Sequence, residues 1–302
     1  MSPSGEQFVL RAAGYRATVT EVGAALRTLT HDGRALVRNF AEDEVRPVYS
    51  GAVLAPWPNR IADGRYPHGE TVLQLPLTEP ERATALHGLV CWAAWRPVGH
   101  SRSSLKLEHT LWPTPGYPFR LRLVTTYERT EAGLTVSVSA ENTLTGVAPY
   151  GCSIHPYLVG GAGRVNDWTL RLPASRVLDV DPHRLLPTGQ REVAGSPFDF
   201  RDGHPIGPLK VDHAFGGVEF GAGTTAEAVV LAADGHGVRL RWDSMCPWVQ
   251  VHTADRPEPV LDRTGLAVEP MTCPPDAFNS GRDVVRLAPG ATHVVRWRLA
   301  AV

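Results

Sequence analysis

The chain has 302 residues, 43% of them hydrophobic and 20% charged, and a net charge of −1. Those values describe a globular protein with ample core rather than a disordered or membrane chain. They leave no electrostatic footprint for nucleic acid or an anionic membrane. Of the 30 basic residues only Lys106 and Lys210 are lysine, but the arginines are scattered and mark no single anion site. No stretch approaches the roughly 20 apolar residues of a membrane span. The start, Met1 to Glu6, has no basic patch followed by an apolar run, so no export signal is expected and the cytoplasm is the natural compartment. Cys91, Cys152, Cys246 and Cys273 show neither CxxC pairing nor close spacing with histidines. They are expected as reduced, buried thiols.

In chain order, Phe8 to Val37 consists of short apolar runs broken by Gly14, Gly23 and Asp32-Gly33, which reads as a strand meander. Gly51 to Gly69 carries Pro56, Trp57, Pro58, Asn59, Arg60, Gly64 and Pro67. That density of breakers predicts a long loop with an aromatic residue and an arginine built in, and long ordered loops are usually functional. Thr71–Leu75 reads as a strand and Thr78–Thr84 as one helical turn. Leu86-His87-Gly88 follows, with Trp92 and Trp95 nearby; histidine before glycine permits a sharp turn with close backbone approach.

From Leu105 to Asn142 the chain alternates plainly, with Glu131-Ala132-Gly133 as the turn, and predicts antiparallel strands with one buried face. Next comes Tyr150-Gly151-Cys152-Ser153-Ile154-His155-Pro156-Tyr157. Proline pushes the preceding residue out of the helical region, so His155 is expected in extended backbone at a strand end. Trp168–Leu172 reads as a strand and Asp179–Gly217 as loop-rich. Ala228–Ala232 and Val238–Trp242 read as a hairpin, and Val249–Thr253, Leu266–Pro270 and Thr292–Leu299 as further strands. Many short strands, little helical periodicity and no linker predict one all-β antiparallel sandwich domain spanning 1–302, with few short helices.

Three residues stand out for proton chemistry: His87, His155 and Glu269, with Arg60 and Asp212 as polar anchors. Glu269 lies between Val268 and Pro270 at an expected strand end. Partial desolvation there favours its neutral form and moves its pKa toward the range of a working base. Taken singly, each of these residues is equally compatible with packing, capping or an ion pair.

Asn59-Arg60, Leu86-His87-Gly88, His155-Pro156-Tyr157, Asp212-His213-Ala214-Phe215, Val268-Glu269-Pro270 and Phe278-Asn279-Ser280-Gly281 occur in one order and spacing. In this the sequence resembles the aldose 1-epimerase (galactose mutarotase) family over nearly its whole length. The resemblance implies a large antiparallel β-supersandwich of the galactose mutarotase type. It implies Glu269 as general base and His155 as general acid. Arg60 and His87 would hold and polarise the sugar and Asp212 bind ring hydroxyls, with Asn59, Trp57 and Tyr157 as further substrate contacts. It implies a monosaccharide substrate such as glucose or galactose, no metal and no other cofactor, and a monomer or dimer. Leu89 to Trp95 and the proline after His155 depart from the galactose-specific members, so the resemblance implies epimerisation without fixing the sugar.

Other readings are an epimerase for a phosphorylated or sulfonated sugar, a non-catalytic carbohydrate-binding domain stacking sugar on Trp57, Trp92 or Tyr157, and a glycoside hydrolase using Asp212 and Glu269. A Cys152 nucleophile paired with His155 is disfavoured, because the two side chains point to opposite faces of an extended strand.

Overall fold

Strict alternation in Leu121–Thr130 and Gly133–Asn142 makes each strand apolar on one side and polar on the other, and pairing with Leu123 opposite Ala140 and Tyr127 opposite Val136 keeps the apolar sides together. In the computed structural model, which describes residues 2–302, these strands lie within a nine-stranded antiparallel sheet. The late strand Thr292–Ala301 pairs with Gly133–Asn142 on one side and Gly237–Asp243 on the other, and so runs through the sheet's middle. Val295, Trp297 and Leu299 point from it into the core.

A six-stranded antiparallel sheet packs across that core. Its order is Tyr157–Leu158, Leu266–Met271, Trp248–His252, Asp212–Val218, Ala174–Val180 and Pro187–Glu192. Leu266, Val268, Val249, Val251, Phe215 and Val177 are its buried inward side chains. The pleat sends the alternate residues to the other face, where Glu269 sits opposite Gln250 and Asp212 opposite His252. One sheet thus supplies core on one side and a polar floor on the other. The Trp297 indole N–H ties the layers by donating to the Pro270 carbonyl at 3.3 Å. Trp297→Ala is expected to cost about 3–5 kcal/mol through the cavity and lost contacts, read as a fall in the urea midpoint; a change below about 1 kcal/mol would contradict this packing role.

The predicted amino-terminal meander is a four-stranded sheet of Gln7–Ala12, Tyr15–Thr20, Leu26–His31 and Arg34–Ala35. Thr78–Thr84 contains a 3-10 turn at Pro80–Arg82. The four-residue helix Ala277–Ser280 is the only α-helix among the described residues, and none is long and apolar enough to cross a membrane. Two expectations need correcting. Gly51–Gly69 is not all loop, because Val53–Leu54, Arg60–Ala62 and Arg65–His68 are strands, each fitted between the prolines or closed by a partner strand. The loop-rich reading of Asp179–Gly217 overlooks the edge strand Pro187–Glu192, which begins on its proline, where no ladder donor is required.

Candidate active site

The polar face of the six-stranded sheet floors a cavity of about 350 Å³, at the small end of ligand-binding volumes. Its walls are the two turns around Asn59-Arg60 and Leu86-His87, joined by pairing of Arg60–Ala62 with Thr84–Leu86. The turn at His87-Gly88 is as sharp as expected, with φ of 61° and 76°. A side chain on Gly88 would meet the Ala55 carbonyl at 2.1 Å, so only glycine fits. A roomier open cleft of about 740 Å³ lies beside the carboxyl terminus, around His31, Asp32, Asp234 and His236. Its charged groups are solvated or half-solvated, whereas the smaller cavity holds the buried Arg60, Glu79, His87, His155 and Glu269, and burial is where proton chemistry is tuned.

His155 follows the short strand Ser153–Ile154 and precedes Tyr157–Leu158, the extended setting its proline predicts. Its Nε2 lies 3.3 Å from Glu269 Oε1. Both side chains are almost wholly removed from solvent, and His155 Nδ1 and Glu269 Oε2 have no hydrogen-bond partner. The imidazole is flanked by the near-parallel rings of Tyr157 at 5.0 Å and Tyr49 at 6.1 Å. Burial pushes the Glu269 carboxyl well above its usual range, helped by the Asp212 charge and opposed by Arg60. Burial also holds His155 well below the usual imidazole value, with the His252, Arg38 and Arg46 charges adding to it. Both shifts favour the neutral forms at rest, and they make the Glu269 carboxylate a stronger base and the His155 imidazolium a stronger acid than usual, which suits a pair in which one group takes a proton while its neighbour gives one.

His87 lies edge-on to His155 at 5.2 Å; burial, then the charges of His155, Arg60 and His252, lowers its pKa well below normal. Arg60 forms a bidentate pair with Glu79, Nε to Oε2 at 2.7 Å and Nη2 to Oε1 at 2.9 Å. Thr84 also donates to Glu79. Although burial opposes it, Glu79 keeps the guanidinium firmly charged, with Asp212 and Glu269 contributing. Removing one partner strands a buried charge: Glu79→Ala is expected to lose about 3–5 kcal/mol in chemical denaturation. An unchanged midpoint would show the pair to be solvent-screened. Asp212 accepts from Gln250 Nε2 at 2.7 Å, which leaves Gln250 Oε1 buried and unpaired beside Glu269.

The structure therefore brings Arg60, His87, His155, Asp212, Glu269, Asn59 and Tyr157 to one cavity. It does not bring Trp57. That indole is 2% exposed, donates to the Ala85 carbonyl and packs edge-on against Phe278, so it belongs to the core and offers no face to a sugar. Glu79, Tyr49, Gln250 and His252 line the cavity without having been singled out from the sequence. Alternation along Trp248–His252 would have placed Gln250 and His252 on one face, whereas nothing local announces Glu79.

Fold and site together define a protein that holds a desolvated acid–base pair at the bottom of a ligand-sized cavity on an antiparallel β-sandwich. The family model for aldose 1-epimerase matches residues 6–300. The uncharacterised Escherichia coli protein YihR is 37% identical over 297 residues, covering 97% of this chain and 92% of that protein. The aldose 1-epimerase of Escherichia coli is 27% identical over 307 residues, covering 89% and 87%. Among solved structures, a galactose mutarotase-like protein from Clostridium acetobutylicum superposes with a TM-score of 0.85 at 17% identity, covering 97% of this chain and 94% of that one. An aldose epimerase homologue from Caenorhabditis elegans gives 0.83 at 20% identity, covering 98% and 99%. The chain belongs to the aldose 1-epimerase family, isomerases that act on carbohydrates.

Proposed function

We propose that the protein interconverts the α and β anomers of a hexose such as glucose or galactose, with Glu269 as general base and His155 as general acid. The observation that carries this reading is the 3.3 Å approach of His155 Nε2 to Glu269 Oε1 in a buried cavity. Ring opening takes the proton from the anomeric hydroxyl and gives one to the ring oxygen, and those two oxygens share one carbon. Base and acid therefore have to converge on nearly the same point. The C1–C2 bond of the open aldehyde then turns, and closure on the other carbonyl face reverses both transfers. Each positioned group contributes about 10²–10⁴-fold. The charged Arg60 and the His87 imidazole stabilise charge that develops on sugar oxygens, and Asp212 with Gln250 supplies acceptors for ring hydroxyls.

The test is polarimetry or proton NMR of freshly dissolved α-D-glucose and α-D-galactose with and without the protein, the spontaneous reaction giving the baseline. Accelerated approach to equilibrium on either sugar supports the assignment, and the ratio of rates ranks the two. A second reading, an anionic substituent on the sugar, is favoured by Arg256. Its side chain stands at the cavity beside the Tyr157 phenol, while the adjacent carboxylates are occupied, Asp255 by Arg263 and Asp262 by the Arg256 backbone N–H. Phosphorylated and sulfonated hexoses belong in the same assay. No acceleration on any of these sugars would leave a binding domain and refute both readings.

A further inference from the structure

His87, His155 and Glu269 each bring one ligand-capable atom within 4.8 Å of the others, a spacing that serves either proton transfer or a metal ion. What separates these uses is which His87 nitrogen carries the proton, and the surrounding backbone decides it. The His87 N–H donates to the Asn59 carbonyl at 2.9 Å. The Asn59 N–H donates in return to His87 Nδ1 at 3.2 Å. Both residues hold left-handed backbone, with φ of 61° at His87 and 55° at Asn59. Such strain persists only where the surroundings over-determine it. Here the Asn59 side chain closes its own turn by accepting the Arg60 N–H at 2.9 Å, and Gly88 seats the other turn against Ala55.

A backbone amide can only donate. His87 Nδ1 is therefore the bare acceptor, and in a neutral imidazole the remaining proton sits on Nε2. Burial and the nearby Arg60 charge both disfavour the doubly protonated ring. A metal at Nε2 would need that nitrogen bare and Nδ1 protonated, facing an amide hydrogen head-on.

We infer that the reciprocal Asn59–His87 clasp locks His87 as a neutral Nε2–H donor and withholds it as a metal ligand, which makes Asn59 a positioning residue for the site. The two histidines are then not interchangeable. His87 can donate to an oxygen that gains charge, but it cannot take a proton from a hydroxyl without becoming an imidazolium beside Arg60. His155, whose Nδ1 is unpartnered and whose Nε2 faces Glu269, is free to cycle. The sugar oxygen that receives the His87 hydrogen bond rests on the epimerase reading; the tautomer does not.

The experiment is NMR of the sugar-free protein labelled with 15N-histidine, the His87 signals being assigned by their absence in His87→Gln. The expected result is a bare Nδ1 and a protonated Nε2 across roughly pH 6 to 8, where an ordinary imidazole would titrate, with no change when zinc chloride is added. A proton on Nδ1, a titrating ring or a zinc-dependent shift of the His87 signals would overturn the inference. Asn59→Gly keeps the amide and the left-handed φ and is expected to keep the signature. Asn59→Val, whose branched side chain resists that φ, is expected to lose it; an unchanged signature there would show that the clasp is not the cause. If the valine variant does not fold, Asn59→Thr, branched at the same carbon, takes its place with the same two outcomes. Because no sugar is present, failure of this test and failure of the polarimetric one are separate results.

Discussion

Glu269→Gln is expected to lower the rate of anomer interconversion by about 10²–10⁴-fold while leaving the protein more stable at neutral pH. The first effect follows from removing the base, since the amide occupies the same space but cannot accept the anomeric proton. The second follows from linkage. In the unfolded chain the carboxyl titrates near its ordinary value of about 4.3, whereas burial holds it well above that in the native state. As pH rises between those two values the unfolded state binds fewer protons than the folded one, so stability falls with pH across that window. Glutamine has no proton to lose and removes the penalty. Polarimetry and urea melts at neutral pH on the same preparation check both halves. A variant with wild-type rate would sink the base assignment, and one less stable than wild type would sink the account of desolvation.

His155→Asn is expected to reduce the rate by a similar factor of about 10²–10⁴, with an opposite pH signature. The folded His155 is held well below its ordinary value by burial and by the surrounding His252, Arg38 and Arg46 charges, while the unfolded residue protonates near about 6.5. Below that pH the unfolded state binds more protons, so stability is fully present above it and is lost as pH falls. His87, His109, His213 and His293 shift in the same direction through burial, so the acid loss is shared. Removing one of these groups is expected to flatten the stability profile below about pH 6.5 by up to about 1.4 kcal/mol per pH unit. Denaturant midpoints of wild type and variant between about pH 4 and 7 decide the matter, and parallel profiles would show that His155 is charged in the folded protein.

The strands were legible because alternation is a local property. Leu121 to Asn142 states its own inward face, and the pairing of two such runs needs only a turn. Trp57 shows the opposite case. An aromatic residue among prolines has the composition of a binding loop, but its burial is decided by Ala85 and Phe278, which arrive from elsewhere in the chain. Prolines misled in the same way at Pro187, since an edge strand tolerates what a central one does not. His155 could be singled out from the proline after it and its extended setting, whereas Glu269, expected at a strand end, lies within Leu266–Met271, which continues through Pro270 to Met271; the order of motifs placed Arg60, His87 and Asp212 beside them. The Glu79 clamp on Arg60 could not be read, because two short strands must first fold the chain back over 19 positions to bring the pair together.

The central place of Thr292–Ala301 in the nine-stranded sheet constrains how the protein is made. Until residue 301 has emerged from the ribosome, Gly133–Asn142 and Gly237–Asp243 both present bare backbone along the edges that this strand will occupy. Unpaired edges of that kind are templates for joining to another chain, and pairing over such sequence separations is slow. Nascent chains of this protein are therefore exposed to aggregation from the completion of Asn142 until the last strand emerges, and a truncation that removes only this strand is more damaging than its length suggests.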